Sequence, residues 1–209
     1  MTTLHSKKSI DRSPLRRGLP FGALALVLAC CALPPATRAL LPPPPPDGGY
    51  PGANTAEGAN ALFSLTTGVS NTAIGYQALK SNGTGSFNTA NGVGALGNNT
   101  IGSNNTASGN GALQTNDADN NTATGVQALL RNTTGSNNTA TGAQALSSNT
   151  IGSNNTANGF QALFSNTGQD NTATGSFALF GTTTGSGNTA SGQGALSTTL
   201  AALTTPPSV

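Results

Sequence analysis

The feature that most constrains the fold is a short repeat that begins at Asn54 and continues almost to the end of the chain. The triplet Asn-Thr-Ala opens nine units, and successive triplets stand 16 or 17 residues apart. A period of this kind indicates a tandem array in which each unit packs on its neighbours. The triplets begin at Asn54, Asn71, Asn88, Asn105, Asn121, Asn138, Asn155, Asn171 and Asn188.

The first half of each unit is much more regular than the second. With the asparagine as place 1, glycine stands at place 5, alanine at place 8 and leucine at place 9 in all nine units. Both 16-residue units lose their residue in the looser second half, within 116–120 and 166–170. A turn tolerates such a deletion, whereas a strand would change register. We therefore expect the deletions to lie in turns.

The composition of the unit predicts an all-β fold. Gly, Asn, Thr and Ser dominate it, and all four are poor residues for helix interiors. Known helical repeats also need about twice this length. We predict a parallel β-solenoid, or β-roll, of nine 16–17-residue coils with two or three short strands each. Identical residues would stack about 4.8 Å apart, and stacked asparagines would exchange amide hydrogen bonds. A disordered low-complexity chain is the alternative, which the strict periodicity disfavours.

The N-terminal residues 1–39 have the pattern of a secretory signal peptide. A basic segment precedes an apolar run over 19–33, and small residues lead to a cleavage site after Ala39. Two variants stay open: a lipoprotein box with Cys30 as the lipidated residue, and a twin-arginine signal at Arg16 and Arg17. We expect a proline-rich, non-globular linker over 40–53, the repeat domain over 54–198 and a tail over 199–209.

Charge and reactive residues exclude several functions. Only 7% of residues are charged, and six of the eight basic residues precede residue 40. The repeats therefore offer no basic surface for nucleic acid. Cleavage after Ala39 would also remove every His, Cys and Met. We predict no enzymatic activity, cofactor or metal, because zinc sites and Ser-His or Cys-His nucleophiles need those residues. Asp117 and Asp119 suggest either a calcium site or, as we favour, a solvated turn.

The candidate contact residues lie at places where the copies differ. The candidates are five aromatic residues at places 6, 7 and 10: Tyr76, Phe160, Phe164, Phe177 and Phe180. If exposed, they would form a contact stripe. If buried, they would thicken the core or a seam between subunits, and burial is the outcome we expect.

The motif Asn-Thr-Ala-x-Gly-x-x-Ala-Leu resembles the head repeats of trimeric autotransporter adhesins over about 54–198. Related repeats occur in phage-type tail-fibre proteins and in secreted bacterial proteins. The resemblance implies a left-handed parallel β-roll that trimerises and binds host matrix or other cells, although the family's unit is shorter. Independently, each unit has few apolar residues, so we expect a homotrimer in which leucine stripes meet at a shared axis.

These observations predict a non-enzymatic, secreted or cell-surface, adhesin-like repeat protein that binds through its β-roll surface. A membrane would be reached only through a lipid anchor at Cys30. One alternative is an ice- or crystal-binding solenoid, since three coils carry Thr-Ala-Thr at 122–124, 139–141 and 172–174. Another is a tail-fibre-like spacer with no ligand of its own.

Overall fold

A computed structural model describes residues 49–197, and this part of the chain forms a β-solenoid of about eight turns. The predicted all-β solenoid is confirmed, and residues 49–197 contain no helix. The signal-peptide prediction and Cys30 lie outside these residues. The ten strands form one sheet in chain order: β1 (Gly49–Tyr50), β2 (Asn54–Glu57), β3 (Thr72–Ile74), β4 (Thr89–Asn91), β5 (Thr106–Ser108), β6 (Thr122–Thr124), β7 (Thr139–Thr141), β8 (Thr156–Asn158), β9 (Thr172–Thr174) and β10 (Thr189–Ser191).

Each coil has one strand, so the expectation of two or three strands per coil is wrong for the described residues. The strand covers places 2 to 4, and the rest of the coil is turns. Left-handed residues explain the difference: in the second coil φ is 58° at Gln77 and 48° at Leu79. A strand cannot continue through such residues. The turns nevertheless stack by backbone hydrogen bonds, as from Leu79 N to Ala95 O at 3.0 Å.

The parallel register is kept through both shortened coils. Thr106 pairs with Thr122, and Thr156 pairs with Thr172, although only 16 residues separate the partners. The missing residue lies in the second half of each coil, as predicted. Neighbouring strands therefore present the same side chains to the same face along the whole sheet.

The core is a column of small and medium apolar side chains inside one chain. From the first to the eighth coil, the alanines at places 3 and 8 and the leucines at place 9 form a single buried cluster, which Ala190 of the ninth coil joins. The leucines from Leu62 to Leu179 are at most 1% exposed. The expectation that leucine stripes meet at an axis between chains is therefore wrong, because each coil closes around its own leucine. The homotrimer stays a prediction and would need another surface.

A first asparagine ladder runs along the interior at place 1, as expected. Asn138 shows the pattern. Its Nδ2 donates to Gly152 O at 2.8 Å, and its Oδ1 accepts hydrogen bonds from the backbone N–H and the Nδ2 of Asn155. These amides satisfy backbone groups that are buried in the turns, where no strand partner exists. The ladder therefore stabilises the turns as well as the stack.

A second asparagine ladder at place 12 was not predicted. Its members are fully or almost fully buried, and each Nδ2 donates to a backbone carbonyl within its own turn. From Asn99 onward, each Nδ2 also donates to the Oδ1 of the asparagine one coil earlier. The members are Asn82, Asn99, Asn116, Asn132, Asn149 and Asn166. Leu65 replaces the asparagine in the first coil and Thr182 replaces it in the eighth.

The end of this second ladder predicts a stabilising substitution. Thr182 is fully buried, and its Oγ1 has no hydrogen-bond partner. We expect Thr182→Asn to raise the free energy of unfolding by about 1–2 kcal/mol, because an amide there continues the ladder from Asn166. Thermal unfolding followed by circular dichroism measures the change.

Thr182→Val is the matched control, since it removes the unpaired hydroxyl and adds no amide. It should be neutral or mildly stabilising. If valine stabilises as much as asparagine, the gain comes from removing a buried polar group and not from extending the ladder.

The N-terminal edge of the sheet carries a different strand. β1 runs antiparallel to β2, with Gly49 opposite Thr55 and Tyr50 opposite Asn54. Tyr50 is half-buried and packs against the core. This strand falls within the predicted linker over 40–53, so the last residues of that segment belong to the solenoid.

Candidate binding surfaces

The predicted contact residues lie on the outside of the solenoid. Tyr76, Phe160 and Phe177 are 50%, 44% and 37% exposed, and Phe164 and Phe180 are half-buried. The expectation that these side chains thicken the core is therefore wrong for the first three, while burial in a seam between subunits stays a prediction. The interior is already filled by asparagine, alanine and leucine, so a ring at place 6, 7 or 10 has to pack on the outer surface.

Four of the five rings come together in the seventh and eighth coils. The ring centroids of Phe160 and Phe177 are 5.2 Å apart in an edge-to-face arrangement. Phe164 and Phe180 stack at 5.3 Å, and Phe177 lies 5.7 Å from Phe180. We call these four residues the aromatic cluster. Tyr76 lies in the second coil, where its Oη accepts a hydrogen bond from Gln77 Nε2.

A ladder of glutamines leads to the aromatic cluster along place 7. Gln144 Nε2 donates to Gln127 Oε1 at 3.1 Å, and Gln161 Nε2 donates to Gln144 Oε1 at 2.6 Å. In the next coil the same place is Phe177, whose backbone N–H donates to Phe160 O. We call the glutamine ladder and the aromatic cluster together the amide–aromatic face.

Other exposed apolar side chains stand along place 6, where Val93 and Val126 are 49% and 52% exposed. Between these two valines, place 6 of the fourth coil is Asn110, which interrupts the row of apolar side chains. Sequence reasoning missed both valines, because an aliphatic residue at a variable place gives no sign of its exposure. The signal available was the shared position, because Tyr76, Val93, Val126 and Phe160 all stand at place 6 of their coils.

The outer face of the sheet carries threonines in register. Place 2 is threonine in all nine coils, and these residues pair across the sheet from Thr55 to Thr189. In the fifth to eighth coils place 4 adds exposed Thr124, Thr141, Asn158 and Thr174. Four adjacent coils therefore carry two parallel ranks that are threonine at seven of eight positions.

Asp117 and Asp119 accept hydrogen bonds from the preceding coil. Asp117 Oδ1 accepts from the N–H and the Oγ1 of Thr100, both at 2.6 Å, and Asp119 Oδ1 accepts from Ser103 N at 2.7 Å. Both aspartates lie in the turn of the fourth coil that is one residue short. Their carboxylates accept hydrogen bonds from backbone N–H groups of the third coil, which lie opposite this turn. Residues 49–197 contain no group of three or more His, Cys, Asp or Glu that could hold a metal.

These features define a parallel β-solenoid with a closed interior and a variable exterior. In the part of the chain described, no helix has the length and hydropathy to cross a membrane. No family model matches the chain, and no significant similarity to a curated protein or to a solved structure was found. The resemblance to adhesin heads therefore rests on the repeat motif alone.

Proposed function

We propose that this protein is a non-enzymatic structural repeat protein, exported to the cell surface or the medium, that binds another surface through the outside of its solenoid. The observation that carries the proposal is the division of each coil. Places 1, 3, 8, 9 and 12 are buried in coil after coil, while the places where the copies differ are largely exposed. The repeated residues therefore build a rod, and the variable residues are free to select a partner.

The chemistry of the exterior supports binding over catalysis. Within residues 49–197 the acidic and basic residues are Glu57, Lys80, Asp117, Asp119, Arg131 and Asp170. Asp117 and Asp119 accept the intercoil hydrogen bonds described above. The exterior otherwise offers hydroxyls, amides and a few apolar side chains, which suit contact with an extended surface.

The test of this proposal combines export, assembly and adhesion. The full-length chain should yield a mature form that begins after Ala39 or at lipidated Cys30, which mass spectrometry of the exported protein would distinguish. The mature protein should behave as an oligomer, most simply a homotrimer, by native mass spectrometry. It should also be retained on coated matrix, on cells or on polysaccharide. An unprocessed cytoplasmic monomer that no surface retains would overturn the proposal.

The threonine ranks favour a second candidate, an ice- or crystal-binding solenoid. Along each strand the two outward residues are about 6.7 Å apart, and successive strands are about 4.8 Å apart. The fifth to eighth coils therefore present a regular lattice of hydroxyls and methyl groups in register. Such a lattice can match the regular surface of a crystal.

Thermal hysteresis and ice-crystal shape measure this second candidate. We expect Thr139→Leu, in the middle of the two-rank lattice, to abolish any activity. The control Thr134→Leu changes an exposed threonine in a turn of the preceding coil and should keep the activity. Absence of hysteresis in the unmodified protein excludes ice as the ligand.

A further inference from the structure

We infer that the amide–aromatic face binds an uncharged polysaccharide that runs along the solenoid axis. The face consists of the aromatic cluster and Gln127, Gln144 and Gln161, at places 6, 7 and 10 of the fifth to eighth coils. This inference rests on the proposed binding function and names the class of ligand.

The first argument is that the aromatic cluster is braced. Phe164 and Phe180 are half-buried and stacked, and Phe177 contacts both Phe180 and Phe160. The exposed rings of Phe160 and Phe177 are therefore held before any ligand arrives. A ring fixed in this way loses little conformational freedom on binding. Its apolar surface suits the C–H faces of a sugar ring.

The second argument is the polar chemistry beside the rings. The glutamine ladder supplies planar amides that donate and accept hydrogen bonds, as sugar hydroxyls require. The ladder orients these amides, because the Nε2 of Gln144 and the Nε2 of Gln161 each donate to the Oε1 of the glutamine one coil earlier. Apolar contact area with a few oriented polar groups is the usual composition of a ligand site.

The third argument is the absence of charge. Residues 121–187, the fifth to eighth coils, contain two charged residues, Arg131 and Asp170, and neither stands at place 6, 7 or 10. Asp170 is the last residue of the seventh coil, and its carboxylate accepts a hydrogen bond from Asn154 Nδ2. The aromatic cluster thus has no charged residue at its own places, and a neutral polymer matches this surface better than an anionic one.

The shape and size of the face favour a polymer over a second copy of this chain. Two rings that are about 40% exposed offer roughly 160 Å² of aromatic surface. A stable protein–protein interface needs about 800 Å² from each partner. The face is open and extends over four coils, so a polysaccharide aligned with the axis can make many weak contacts that add together.

The experiment is affinity gel electrophoresis of the mature protein with hydroxyethylcellulose and galactomannan as neutral probes and alginate as the anionic probe. We expect the neutral probes to retard the protein and added salt to leave the retardation unchanged. The double substitution Phe160→Ala and Phe177→Ala should weaken binding about tenfold or more, since exposed aromatic anchors dominate such contacts. Val93→Ala, on the place-6 rank of a distant coil, is the matched control and should bind normally.

Circular dichroism and native mass check that the double variant keeps its fold and assembly. Three results would overturn the inference: no retardation by either neutral probe, equal retardation of the unmodified protein and the double variant, or binding to alginate alone. A double variant that changes oligomer mass would also overturn it, because the face would then be a subunit seam. Retention of the unmodified protein on matrix or cells without glycan binding would leave the proposed function standing.

Discussion

Replacing Gly142 with alanine is expected to destabilise the solenoid by about 3–5 kcal/mol. Gly142 stands at place 5 with φ at 125°, a region that is essentially restricted to glycine. A Cβ there would lie 2.5 Å from Gly159 O and 2.6 Å from Gly159 C in the next coil. Backbone of a stacked coil cannot move aside without opening its neighbours. Chemical denaturation followed by far-ultraviolet circular dichroism measures the loss.

Gly192→Ala separates the two causes. Gly192 has the same place and nearly the same φ, 121°, but a Cβ there meets no other described atom within 4 Å. It should cost only the backbone strain, about 1–3 kcal/mol. Equal losses at Gly142 and Gly192 would show that close coil stacking is not the reason for glycine at place 5.

The second large loss of stability is expected when one amide is removed from the first asparagine ladder. Asn138→Ala should cost about 3 kcal/mol or more, because it leaves Gly152 O and the N–H of Asn155 buried without these partners. A cavity at a position of zero exposure adds to the loss. The same denaturation experiment measures it, and the unfolding transition should also broaden as coupling between adjacent coils weakens.

Asn110→Ala is the control, since Asn110 lies exposed at place 6 of a neighbouring part of the stack. We expect a change within about 0.5 kcal/mol. If Asn138→Ala is as mild as this control, the ladder amides do not stabilise the fold and water replaces them.

The period was sufficient to predict the solenoid, the turn positions of both deletions and the first asparagine ladder. The second ladder could have been found as well. Its members stand 16 or 17 residues apart, as the triplets do, and the shortened fourth coil does not interrupt them: Asn82, Asn99, Asn116, Asn132, Asn149 and Asn166. It was missed because Leu65 and Thr182 break the pattern at its two ends, so the second half of the unit looked variable.

Other features could not be read from the residues. Leucine at place 9 has positive φ in every coil, from 48° to 53°. Isolated leucine disfavours that region, so only the stacked coils can impose it. The same backbone turns decide that Leu79 is buried within its own chain and that Phe177 lies outside. The conformational preferences of single residues do not contain that information. The sequence therefore predicted which residues form the aromatic cluster but not how their rings are arranged.

The antiparallel strand β1 has a consequence for the behaviour of many copies at high concentration. Copies that join head to tail by adding strand to strand need a bare strand at both ends of the sheet. β1 occupies the N-terminal edge and reverses direction there, so the next copy meets no parallel template. We therefore expect this short strand to oppose the addition of another copy in the parallel register at this end of the sheet.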